Sequence, residues 1–130
     1  MMNDELKKAG SDEAEKRDLR GRTKRFALRI IRLYTSLPKT MEAQVIGKQV
    51  LRSGTSPGAH YCEATRARSV AEFISKVEGA LQELEETIYW LELLIEAEIV
   101  NEKRLHDLLQ EATELIAILV ASVKTAKRNK

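Results

Sequence analysis

Cys62 stands two residues from His60 and next to Glu63, inside the stretch LRSGTSPGAHYCEA that runs from Leu51 to Ala64. A thiol, an imidazole and a carboxylate are the groups of nucleophilic catalysis. The spacing argues against that use, because residues i and i+2 on a helix point apart. A lone cysteine is also more often a small buried hydrophobe. SGTSPG in the same stretch has the small residues of a phosphate cradle, but lacks the G-x-x-x-x-G-K-[ST] spacing and follows no strand pattern. Small residues there suit the close approach of two helix backbones. A metal centre is not expected either. Di-iron bundles use Glu-x-x-His pairs, whereas His60 and His106 are the only histidines and neither follows a glutamate by three. His60 and Glu63, at i and i+3, can meet, but two side chains do not make a site. With no catalytic constellation, the chain reads as a non-enzyme that needs no cofactor.

The cations carry a stronger signal. Residues 20–68 hold 11 basic and 2 acidic side chains, whereas residues 69–114 hold 3 basic and 12 acidic. A net charge of +2 therefore conceals a segregated pattern that can build a basic surface. Arg22, Lys24, Arg25, Arg29 and Arg32 crowd one segment, and Lys39, Lys48, Arg52, Arg66 and Arg68 follow. Such cations contact phosphates without reading bases. Aromatic residues are only 5% of the chain, so stacking on single strands is not indicated. The opposing reading is that the segregated charges pair between neighbouring helices or subunits. The many glutamates between Glu78 and Glu96 read as a solvated or ion-paired face.

The elements that would hold these residues are helical. Ala, Leu, Glu, Lys and Arg dominate, which favours helix, and no strand pattern competes. Residues 1–20 are charged and poor in large apolar groups, which predicts a disordered or frayed arm. Residues 21–128 then form one bundle domain. The first helix is expected from about Thr23 to Leu37, with Phe26, Ile30, Leu33 and Leu37 on one face, Ile31 and Tyr34 widening it, and Pro38 ending it. The second opens near Thr40. Ala43, Ile46, Val50, Gly54, Pro57 and Tyr61 keep a helical spacing, favouring one kinked helix over about 41–66. The alternative is a new helix capped by Ser56 with Pro57 in its first turn. SVAE, Ser69 to Glu72, is a capping box for the third helix. Phe73, Val77, Leu81, Leu84, Ile88, Leu91 and Ile95 form its heptad seam. Asn101 caps the fourth, whose seam is Leu105, Leu108, Ala112, Leu115, Leu119 and Val123. Helices joined by short connections describe an all-α, antiparallel up-down-up-down four-helix bundle. The surplus of apolar surface on the first and last helices predicts an oligomer.

One cysteine permits no internal disulfide and fits a reducing compartment. No run is long and apolar enough for a membrane span, and the N-terminal residues lack the apolar stretch of a signal peptide. The expectation is a soluble cytoplasmic protein with no membrane partner.

One long segment resembles a known family. VIGKQVLRSGTSPGAHYCEATRARSVAEFISKVEGALQELEETIYWLELL, Val45 to Leu94, is similar to the small four-helix-bundle proteins encoded in intervening sequences of bacterial 23S rRNA genes. It is more distantly similar to the accessory protein of diversity-generating retroelements. The ordered run G-K-Q, L-R-S, T-S, E-A, A-R-S, E-F, E-T and Y-W-L carries the resemblance. It implies a homopentamer around a central channel. It also implies binding to RNA, or to RNA and DNA beside a reverse transcriptase in the retroelement relatives, and no catalytic activity. The small-residue stretch then falls within the second helix, where Ser53, Ser56 and Ala59 serve close packing. Arg52, Glu63, Glu83, Glu86 and Trp90 match positions typical of the family and read as a buried or interfacial polar network with an aromatic anchor. Phe73 joins them as a structural or interface position. Pro57, His60 and Cys62 depart from the family pattern. The expected nucleic-acid contacts are Arg22, Arg25, Arg29, Arg32, Lys48 and Arg52, and the alternative is a protein–protein scaffold that does not bind nucleic acid directly.

Overall fold

The computed structural model describes the backbone of residues 4–129 and the side chains of residues 18–129. Four helices follow in order: α1 (Asp4–Ser36), α2 (Met41–Ala64), α3 (Val70–Glu96) and α4 (Glu102–Arg128). No strand occurs among the described residues. Within them, each helix packs on its neighbours in sequence and α4 closes against α1, with no diagonal contact. One apolar cluster runs through all four helices, from Leu19 and Phe26 of α1 to Leu119 and Val123 of α4.

Local chemistry sets the helix ends. The Thr40 hydroxyl accepts from the Ala43 amide at 3.4 Å and the Ser69 hydroxyl from the Glu72 amide at 3.0 Å. The Asn101 side chain accepts from the Lys103 amide at 2.8 Å. These bonds satisfy donors that a helix start leaves free. The Glu72 carboxylate reaches back to the Arg68 amide at 3.2 Å, one residue before the cap. At the end of α3, the Glu98 amide donates to the Ile95 carbonyl and the Ile99 amide to that of Leu94, both at 2.9 Å. That is a Schellman closure, and it holds Glu98 at φ 58°, where glycine is the usual occupant.

Several sequence expectations need correction. α1 begins at Asp4, not near Thr23, because a run of good helix formers continues the helix without an apolar stripe. Leu19 is fully buried, so the packed body reaches into the segment assigned to an arm. Residues 1–3 of that arm, and its side chains up to residue 17, lie outside the described residues. Ile31 does not widen the core face; it is 41% exposed. The α3 core comprises Ile74, Val77, Ala80, Leu84, Thr87, Leu91 and Leu94. Phe73, Leu81, Ile88 and Ile95 of the expected seam are half-buried beside it. The buried face is wider than one seam because α3 packs on both α2 and α4.

α2 passes through Pro57 as one helix, as the continuous spacing predicted, and Ser56 does not start a new one. The Thr55 hydroxyl donates to the Leu51 carbonyl at 2.7 Å and the Ser56 hydroxyl to the Arg52 carbonyl at 2.6 Å. The small residues let α2 lie close to α1. A Cβ on Gly54 would sit 2.6 Å from Cγ1 and 2.9 Å from Cγ2 of Ile30. These are inner atoms of a branched side chain that cannot swing away.

Candidate nucleic-acid interface

Arg25, Arg29 and Arg32 fall at i, i+4 and i+7 on α1, with Arg22 one turn earlier, but their surroundings differ. Arg22 forms a two-pronged pair with Glu111 of α4, Nε to Oε2 at 3.1 Å and Nη2 to Oε1 at 2.6 Å. It also reaches Glu114 at 3.4 Å. Both members of the Arg22–Glu111 pair are only 19% exposed, so this pair fastens α1 to α4. Arg25 pairs with Asp18 on its own helix at 2.9 Å, and both side chains are largely exposed. Arg29 and Arg32 line a cleft between α1 and α4, with Leu33, Arg104, Leu105 and Leu108. Neither Arg29 nor Arg32 has a carboxylate partner among the described residues. Arg104 donates to the Ser36 hydroxyl at the end of α1. Arg104 is not among the cations expected from the sequence, because it lies within the acidic segment of residues 69–114; only the packing of α4 on α1 brings it beside Arg29 and Arg32.

Lys48 and Arg52 face outward on α2. Arg52 donates to Glu83 at 3.1 Å and to Glu86, both on α3, and to the Gln49 amide oxygen. Arg52, Glu83 and Glu86 thus come together as one network, half exposed and not buried. Glu63 lies apart from it and pairs with Lys76 at 2.7 Å. The Lys76 hydrogen bond, and then its charge, hold the Glu63 carboxyl below the usual carboxylate range, while Glu63 raises the Lys76 ammonium in turn.

The other structural candidates divide. Ser53 is fully buried, with its Oγ 2.9 Å from Thr87 Oγ1, which lies 2.7 Å from the Glu83 carbonyl. With one proton per hydroxyl, both contacts are made when Thr87 donates to the carbonyl and Ser53 donates to Thr87. Ser56 is half-buried, while Ala59 is exposed and lines a groove between α1 and α2 with Gly58 and Cys62. Phe73 packs half-buried against the core. Trp90 does likewise, with Tyr89 edge-on at 5.0 Å. Its Nε1 is buried without a hydrogen-bond partner among the described residues, as is Nδ1 of His60, whose ring lies over Gly79.

No group of three metal-ligating side chains occurs among the described residues. No described helix is long and apolar enough to cross a membrane. Fold and surface therefore define a class: an all-α protein of four helices whose first two carry clustered cations. Within that class, residues 15–121 match the 23S rRNA-intervening sequence protein family, and the chain belongs to it. A crystal structure of a protein of unknown function from the S23 ribosomal protein family of Bacteroides thetaiotaomicron is similar at a TM-score of 0.77 and 40% identity. The match covers 82% of this chain and 98% of that one. No curated protein matches the chain significantly.

Proposed function

We propose that this family member is a non-enzymatic, oligomeric helical bundle of the cytoplasm. It binds structured RNA, or nucleic acid more generally, through the outward basic faces of α1 and α2. The observation that carries this reading is the separation of charge over the folded surface. Lys24, Arg25, Arg32, Lys48 and Arg52 are exposed on the first two helices, while Glu78, Glu85, Glu92 and Glu96 are exposed on α3. Arg25 and Arg52 are paired, but exposed ion pairs are worth only about 0–1 kcal/mol, so a phosphate can replace their carboxylates. Arg22 is the exception: its two-pronged, largely covered pair with Glu111 fastens α1 to α4.

An antiparallel up-down-up-down course is part of the proposal. It is supported by the order of the contacts: Tyr34 of late α1 meets Gln44 of early α2, and Arg22 of α1 meets Glu111 of α4, whereas Ser36 meets Arg104. Assembly as a homopentamer rests on the family resemblance, as does the possibility of a reverse transcriptase partner.

The second reading, a protein–protein scaffold, is favoured by a separate observation. Met41 is 81%, Val45 59% and Tyr89 55% exposed. Large apolar side chains so placed mark contact surfaces. Binding of the purified protein to a labelled 23S rRNA fragment, an unrelated RNA and duplex DNA across a salt series separates the two readings. The nucleic-acid reading requires affinity that falls steeply with salt. An absence of binding at low salt, with no 260 nm excess in the purified protein and dissociation of the oligomer at high salt, replaces it with the scaffold.

A further inference from the structure

We propose that the cleft between α1 and α4 is the phosphate-holding centre of this surface, in which Arg29, Arg32 and Arg104 together grip one phosphate group of an RNA chain. The inference rests on the nucleic-acid reading above and adds to it a place, a ligand group and a residue from a third helix.

The argument is electrostatic. The three arginines line one cleft together with Leu33, Leu105 and Leu108. The leucines are almost wholly buried, at 5%, 1% and 5% exposure, so the apolar side of the cleft belongs to the core. Of the carboxylates on α4, Glu111 and Glu114 pair with Arg22, and no ion pair joins a carboxylate to Arg29, Arg32 or Arg104 among the described residues. Among the described residues the Arg104 side chain donates only to the neutral Ser36 hydroxyl, which itself donates to the Leu33 carbonyl at 2.7 Å. Three like charges gathered without a counter-charge repel one another, and an anion placed among them relieves that repulsion. Guanidinium forks suit a phosphate, which offers several acceptor oxygens at once. A carboxylate of a second copy offers fewer, so the RNA phosphate is the better occupant.

The test uses the full chain and a labelled RNA hairpin. Arg29→Gln, Arg32→Gln and Arg104→Gln should each weaken binding about tenfold at moderate salt, as expected for the loss of a charge-assisted bond. Each should also lower the slope of log affinity against log salt by about 0.7–0.9. Lys127→Gln, the same charge loss at the far end of α4, should change affinity by less than about twofold. Arg32→Gln guards against a folding artefact, since the Arg32 side chain makes no hydrogen bond or ion pair among the described residues, and melting curves confirm that each variant is folded. Inorganic phosphate and adenosine monophosphate, followed by the Arg104 Nε–H resonance, separate a free phosphate from a chain. If RNA binds but the three variants bind as well as wild type, the cleft is overturned and the wider reading stands. If free phosphate shifts Arg104 while no RNA binds, the wider reading falls and the RNA assignment with it. If the variants lower the oligomer mass and leave RNA affinity intact, the cleft receives a second copy and the proposal is overturned.

Discussion

Arg22 and Arg29 lie on the same stripe of α1, yet one is tied down and the other is left open. The difference is the carboxylate opposite: Glu111 meets Arg22, whereas Arg104 shares the cleft with Arg29. Arg22→Ala should therefore destabilise the fold by about 2 kcal/mol, because it strands a largely covered Glu111. A double-mutant cycle should give a coupling above about 1 kcal/mol for Arg22–Glu111 and below about 0.5 kcal/mol for the exposed Arg25–Asp18 pair. Equal couplings would contradict the distinction drawn here. Glu63 and Lys76 supply a pH dependence. Because Lys76 depresses the Glu63 carboxyl, the pair's contribution is present above the ordinary carboxyl value and is lost as pH falls through the depressed one. At the alkaline end it is lost as pH rises through the raised Lys76 value. The melting-temperature gap between wild type and Glu63→Gln should shrink as pH drops below about 4; a constant gap would show that the pair contributes nothing. Neither the Arg22–Glu111 pair nor the Glu63–Lys76 pair was legible in the sequence, since their members stand 89 and 13 positions apart.

At the scale of elements, helix ends and close approaches were read with unequal success. Pro38, Thr40, Ser69 and Asn101 act over a few residues of chain, so the helix boundaries they set, with Ser69 and Asn101 as caps, were visible at once. Glu98 was missed: its left-handed backbone comes from the closure of α3, and nothing in the type of residue announces it. Glu98→Gly should raise stability by about 0.5–1 kcal/mol, measured by denaturant unfolding. Gly54→Ala should do the opposite. Alanine gains about 1 kcal/mol of helix propensity, but its Cβ overlaps Ile30, and overpacking of this kind costs about 1–3 kcal/mol. A stabilised Gly54→Ala would mean that α1 and α2 are not held at this distance. The α3 seam was half right for a related reason. Val77, Leu84 and Leu91 are large and periodic, but Ala80 and Thr87 are buried without a strong apolar signature. Thr87 meets the buried Ser53 of α2 by a hydroxyl contact, so small and polar residues fill a place that a hydropathy pattern assigns to leucine.

At the scale of the whole molecule, the surface carries basic helices, an acidic helix and a scatter of exposed apolar side chains. Val45→Glu should leave the melting of the subunit nearly unchanged, because Val45 is 59% exposed. It should lower the mass in solution if the outward end of α2 is a subunit contact. An unchanged mass measured by light scattering would move that contact elsewhere.

The sequence by itself determined the helices, most of their caps and the segregation of charge, because each depends on neighbours within a few positions or on composition alone. The family was also legible, since an ordered run of some fifty residues carries it. Only the tertiary structure decided which cations are engaged and which are open. An arginine's partner is chosen by the helix packed against it, and α1 meets α4 across nearly the whole length of the chain. Arg104 could be placed with Arg29 and Arg32 only once the four helices had closed on one another.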